Sequence, residues 1–127
     1  NGLEHVAEDR RQRWDEIILR LLPAPGVFNP NGWVVTAFQA ALSAIINTPV
    51  SEEQPSDHLH DALVAAVRIG NDTDTVAAIA GALLGARWGA GAIPEEWNAL
   101  IHGDRRRDSE PVTGTELEQL ARKTVSA

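Results

Sequence analysis

Gly70-Asn71-Asp72-Thr73-Asp74-Thr75-Val76-Ala77-Ala78-Ile79-Ala80-Gly81-Ala82-Leu83-Leu84-Gly85-Ala86-Arg87-Trp88-Gly89 is the stretch around which the chain is organised. Two carboxylates and two hydroxyls fill positions 72 to 75, and no charged side chain follows until Arg87. The pattern predicts a helix over Val76 to Gly89, starting at about Asp74 or Thr75, with oxygen donors at its mouth. Residues two apart point the same way in an extended chain but lie about 200° apart on a helix. Asp72 and Asp74 can therefore face one target only if the chain is still extended there. Both carboxylates then lie in the positive field of the helix N-terminus, worth about 0.3–1 kcal/mol to an anion, and stay ionised at neutral pH.

Within this helix Ala77, Gly81, Gly85 and Gly89 form a flat ridge, and Val76, Ile79, Ala80, Leu83 and Leu84 an apolar stripe. Each interior glycine costs about 1 kcal/mol of helix propensity relative to alanine, so their number points to close approach of another backbone. A helix apolar on nearly all sides belongs inside a protein. It does not read as a membrane span, since the uncharged run falls short of the roughly 20 residues a bilayer needs and Arg87 interrupts it.

On the N-terminal side, Trp14, Ile17, Ile18, Leu21 and Leu22 lie on one face of a helix predicted from Leu3 to Leu22, which Pro23 and Pro25 stop. A turn-rich loop, Gly26 to Gly32, leads to a second helix from Trp33 to about Ile46, with Phe38, Ala41, Leu42 and Ile45 facing inward. After the polar connection Asn47 to Pro55, Ser56 is positioned to cap a third helix running to about Arg68, whose apolar stripe is Leu59, Leu63, Ala66 and Val67. His58 and His60 lie two apart on it, face different directions and read as ordinary surface histidines rather than a shared zinc site. On the C-terminal side, Pro94-Glu95-Glu96-Trp97 reads as a helix start with acids in its first turn, and Trp97 as a core residue. Residues 102 to 114 read as loop, and Thr115 with Glu118 as the capping box of a last short helix carrying Leu117 and Leu120. With no strand-like alternation and no internal repeat, the fold class is all-α.

The chain has 127 residues, enough for one domain at most, and a net charge of −7, which argues against a nucleic-acid groove. The basic run Arg105-Arg106-Arg107 is flanked by Asp104 and Asp108 and reads as a solvated loop. There is no cysteine, which fits a reducing cytoplasm and excludes thiolate metal sites, and no secretory signal pattern. Asn1 is not a translation start and the sequence holds no methionine, so an upstream part is expected.

Asp72, Asp74 and a threonine hydroxyl are hard oxygen donors suited to magnesium, manganese or calcium. The EF-hand pattern fails, since Ala77 and Leu83 stand where its turn glycine and terminal glutamate belong. Asp and Thr are also good helix N-caps, and the residues alone leave both readings open.

The longer string from Ala65 to Gly89, followed by Ala92-Ile93-Pro94-Glu95-Glu96-Trp97, closely resembles the C-terminal signature of the ADP-ribosylglycohydrolase family. Asn31-Gly32-Trp33-Val34-Val35 resembles a second, looser family feature. The resemblance implies an all-α fold of orthogonally packed helices, of which residues 1–127 would be the C-terminal portion of a single domain. It implies two divalent cations, Mg2+ or Mn2+, and hydrolysis of the bond joining the anomeric carbon of ADP-ribose to a modified protein or another ADP-ribose derivative. Asp72, Asp74 and Thr75 would be metal ligands, Thr73 a capping residue, and Asn31, Gly32 and Trp33 would line the ADP-ribose cleft. Paired cations can orient a ribose hydroxyl, acidify water and stabilise charge as the glycosidic bond breaks. The family supplies the other ligands and the acid/base carboxylate from an N-terminal Thr-Asp-Asp motif, and this chain has none. Asn71 stands where many members carry glycine. Rival readings are a non-catalytic ADP-ribose-binding or structural member, and a helical interaction module without metal.

Overall fold

The computed structural model describes residues 6–19, 24–103 and 111–126. Leu3, Leu21, Leu22, Pro23, the side chain of Ile18, and Arg105 to Arg107 with their flanking aspartates lie outside the described residues. The described chain is all-α: α1 (Glu8–Leu19), α2 (Val34–Asn47), α3 (His58–Arg68), α4 (Thr73–Trp88), α5 (Glu95–Leu100) and α6 (Gly114–Val125). Single turns of 3-10 helix span Pro25–Phe28, Pro55–Asp57 and Ala90–Ala92, the first of them inside the expected loop. The segment read as loop also contains strands β1 (His102–Gly103) and β2 (Val112–Thr113), paired antiparallel.

Helices α2, α3 and α4 pack on one another, and the core between them is built on alanine. Ala37, Ala40, Ala41 and Ala44 of α2, Leu59, Ala62 and Ala66 of α3, and Val76, Ala80 and Leu84 of α4 are all buried, with Phe28 and Ile69 at the edge. Alanine has the best helix propensity and loses no rotamer entropy on burial, so helices can sit close together at little conformational cost. This is the close approach expected of glycine. A Cβ built on Gly81 would meet Leu63 at 3.6 Å, ordinary contact, and one on Gly85 would meet nothing within 4 Å. Of the three ridge glycines only Gly89 needs to be glycine for its backbone, with φ at 78° beyond the end of α4. Helix α4 is also not enclosed, because Ala78, Ala82, Leu83 and Ala86 are exposed.

Other expectations shift for related reasons. The Ala37-Ala40-Ala44 row turns Phe38 outward, leaving it 46% exposed, and Ala62 replaces Val67 on the inner face of α3. Ser56 lies in a 3-10 turn instead of capping α3, and Asp57 at the cap position makes no side-chain bond. Because β2 runs to Thr113, α6 starts directly after it, so the capping box is Thr113 with Glu116 rather than Thr115 with Glu118. Gly114 packs against Asn98, whose Oδ1 any Cβ at that position would strike. Trp97 is half-buried and stacks on His60 at 4.9 Å rather than entering the core.

His58 is no surface histidine, since only 4% of it is exposed. Its Nε2 bonds the Ile45 carbonyl at 3.1 Å, and its Nδ1 accepts from the Trp88 indole N–H at 3.2 Å. That pairing requires the proton on Nε2 and ties α3 to α2 and to the C-terminal end of α4.

Leu84→Ala is expected to destabilise the protein by about 2–5 kcal/mol through the cavity it leaves, read from chemical denaturation. His58→Phe should cost about 1–3 kcal/mol by stranding the Trp88 N–H, and His58→Phe and Trp88→Phe together should cost less than the sum of the single changes.

Candidate functional site

The acidic stretch sits on a tight reversal between α3 and α4. Helix α3 tightens at its end, where Ile69 N–H donates to Ala66 O at 3.3 Å and Gly70 N–H to Val67 O at 3.2 Å. Gly70 and Asn71 then both take positive φ, 86° and 57°. Glycine adopts this region freely, and asparagine is among the few other residues that tolerate it, so Asn71 can stand in a glycine position. Thr73 is already the first residue of α4, one or two positions earlier than expected, and Asp72 is its N-cap, with φ −78° and ψ 64°. Thr73 is therefore not the capping residue.

The two carboxylates meet all the same, one from the non-helical cap position and one from the first turn. The Asp72 side chain, followed by the backbone N–H groups of Asp74 and Thr75, holds the Asp74 carboxyl below its ordinary value of 3.8. Asp74 is thus ionised at neutral pH. Because its pKa is depressed in the fold, its contribution to stability is present above about pH 4 and is lost as pH falls through the lowered value. Asp72 makes no side-chain capping bond despite its position. Asp74 and Thr75 are exposed, and Asp72 and Thr73 half-buried.

Residues 29 to 31 support this turn from the other side. Asn31 is fully buried, with Nδ2 donating to Gly70 O at 3.1 Å and Oδ1 accepting from Asp72 N–H at 3.0 Å. Asn29 Nδ2 donates to Ile69 O at 3.1 Å, and Asn29 Oδ1 accepts from Asn71 Nδ2. The Asn29–Pro30 peptide bond between them is cis. The structure thus brings Asn31 to the acidic pair, but by its backbone-binding amide rather than by an open face. Gly32 is exposed, and Trp33, 52% exposed, borders a recess of about 240 Å³ with Arg13, Glu16, Ile17, Thr36 and Gln39. The support from Asn29 escapes sequence reasoning, because nothing in Asn29-Pro30-Asn31 by itself names a partner about forty residues away.

Two adjacent carboxyls, one of them exposed, beside an exposed hydroxyl suit a hard cation as part of a ligand set. Among the described residues no group of three or more His, Asp or Glu side chains gathers to hold a metal ion. A second polar recess, about 460 Å³, lies between Asp57, His60, Asp61 and Pro94. Its His60 is engaged by Asp61 at 2.9 Å and by Trp97. No helix among the described residues is long and apolar enough to cross a membrane.

The sequence is 37% identical over 76 residues to the ADP-ribosylarginine hydrolase Tri1 of Serratia proteamaculans, covering 59% of this chain and 19% of that protein. It is 40% identical over 67 residues to the Tri1 of Pseudomonas putida, covering 53% of this chain and 16% of that one. With human ADP-ribosylhydrolase ARH3 it shares 38% identity over 50 residues, 39% of this chain and 14% of that protein. The matched segment therefore spans less than a fifth of the length of these relatives. No solved structure gives a significant match. The sequence model of the ADP-ribosylglycohydrolase family covers residues 2–127, and the chain belongs to that family.

Proposed function

We propose that the protein is a metal-dependent hydrolase that removes ADP-ribose from modified proteins or ADP-ribose derivatives, and that this chain is the C-terminal part of its single domain. The observation that carries the reading is the carboxyl pair itself: Asp72 stands at a helix cap without capping it, and its side chain engages that of Asp74. Two neighbouring carboxyls supply hard oxygen donors for a shared cation, and relatives named as ADP-ribosyl hydrolases give the pair its context.

Asp72, Asp74 and Thr75 would hold the divalent cations, two of Mg2+ or Mn2+. When bound, these would orient a ribose hydroxyl and acidify the attacking water. The Asp72 side chain and the backbone N–H groups at the start of α4 keep Asp74 ionised, and the Asn31-Gly32-Trp33 turn, tied to Asp72 through the Asn31 amide, lines the ADP-ribose cleft with the exposed face of Trp33. The remaining ligands and the acid/base carboxylate would come from the preceding part of the domain. Its packing surface would include the mainly apolar groove of about 590 Å³ between Trp14, Ile17, Val34, Phe38, Gln39 and Ile79, and the bare side of α4 around Gly85.

In the full-length protein, release of ADP-ribose from ADP-ribosylarginine and from other linkages should require Mg2+ or Mn2+, and Asp74→Ala should lower kcat/KM by at least about 100-fold. Wild-type turnover by that variant rejects the site, whereas ADP-ribose binding without any release favours the non-catalytic reading. Gly85→Ala tests the packing. Helix propensity alone predicts a gain of about 1 kcal/mol, so a lowered Tm in the full-length protein shows the face is covered and a raised one shows it is bare.

A further inference from the structure

Four successive residues before α4 each share one hydrogen bond with Asn29 or Asn31: Ile69 and Gly70 accept through their carbonyls, and Asn71 donates through its side-chain amide and Asp72 through its N–H. Asn31 makes the two bonds that straddle Asn71, the residue held at φ 57°. Its side chain has no exposed surface, so it cannot reach a ligand from solvent. Asp72, by contrast, has no side-chain capping bond to fix it, and its backbone lies outside the helical region. What determines where its carboxylate points is therefore the backbone on which it is mounted, and Asn31 holds that backbone by the N–H of Asp72 itself.

We infer that Asn31, seconded by Asn29, is a positioning residue that aims the Asp72–Asp74 pair at its cation by locking the turn over residues 69–72. This rests on the metal reading given above, and it removes the Asn31 side chain from direct contact with substrate. Groups that orient ligands in this way characteristically change metal affinity by about 10–100-fold when removed. Loss of the Asn31 amide frees Asp72 N–H and Gly70 O together and lets the left-handed pair relax.

Binding of Mn2+ to the full-length protein, followed by electron paramagnetic resonance of the free ion, provides a readout independent of turnover. In Asn31→Ala the Mn2+ dissociation constant should rise about 10–100-fold, and kcat should return towards the wild-type value at saturating Mn2+ while KM for the ADP-ribosylated substrate stays near normal. Asn31→Asp, which keeps the acceptor for Asp72 N–H but loses the donor to Gly70 O, should fall between. A folded Asn31→Ala with wild-type Mn2+ affinity overturns the inference, as does a raised KM with unchanged metal binding, which would make the side chain a substrate contact. If both Asn31 variants fail to fold, Asn29→Ala decides, because Asn29 lies at the exposed edge of the clamp: weaker Mn2+ binding supports the lock and unchanged binding overturns it. Asp74→Ala separates the two levels: intact Mn2+ binding there overturns the metal site and the positioning role with it, whereas lost binding there beside unchanged binding in Asn31→Ala overturns the positioning role alone.

Discussion

The side-chain amide of Asn31, with Asn29 beside it, joins two parts of the chain that lie about forty residues apart. On one side is the cap residue of α4, on the other the turn leading into α2, and the amide contacts Gly70 and Asp72 across a left-handed residue. A buried amide leaves little room for compromise, since an unpaired donor or acceptor there costs about 1–3 kcal/mol. The turn must adopt the shape that satisfies it. That shape brings a carboxyl from outside the helix against one from its first turn. An ordinary capped helix start would instead turn the first carboxylate back onto backbone N–H groups.

The alanine core gives this turn a rigid base. Because α2, α3 and α4 meet through Ala37, Ala40, Ala44, Ala62, Ala66 and Ala80, few rotamers are available along the contact. Val76 and Leu84 fix α4 from its first to its third turn. The same arrangement leaves larger apolar groups on the outside, with Phe38, Val34 and Leu83 uncovered. Phe28 is buried but Phe38 is not, and in the proposed reading the preceding part of the domain would cover these outer groups.

Periodicity made the helices legible, because amphipathic and apolar runs of this length have few alternatives. It did not reveal which face is inward. Hydrophobic bulk at Phe38 and Val67 points inward by pattern, yet both are exposed while Ala37, Ala40 and Ala62 are buried. Glycine spacing misled for the same reason, since alanine makes the close contacts and Gly85 faces open space. Caps slipped by a few residues wherever a strand or a 3-10 turn reached further than pattern suggests, as at Thr113 and Ser56. Of the site, the acidic string was plain in the sequence, as was the interest of Asn31. The contact between them was not, because it joins segments 41 residues apart and depends on two positive φ angles that no local pattern encodes.

Electrostatics supplies the last step. A carboxylate at the start of a helix is already well placed, and for one group the field and the free N–H donors suffice. Asp74 draws on both, together with the Asp72 side chain, and its carboxyl is held acidic as a result. A second carboxyl at the same spot must share the few backbone donors that a helix start leaves free. A positive charge from outside the helix would hold both groups at once. Among the described residues neither aspartate is in a salt bridge, which accords with the proposal that Asp72-Thr73-Asp74-Thr75 accepts a cation. Asn31 then has a physical purpose: it keeps two groups together that would otherwise move apart.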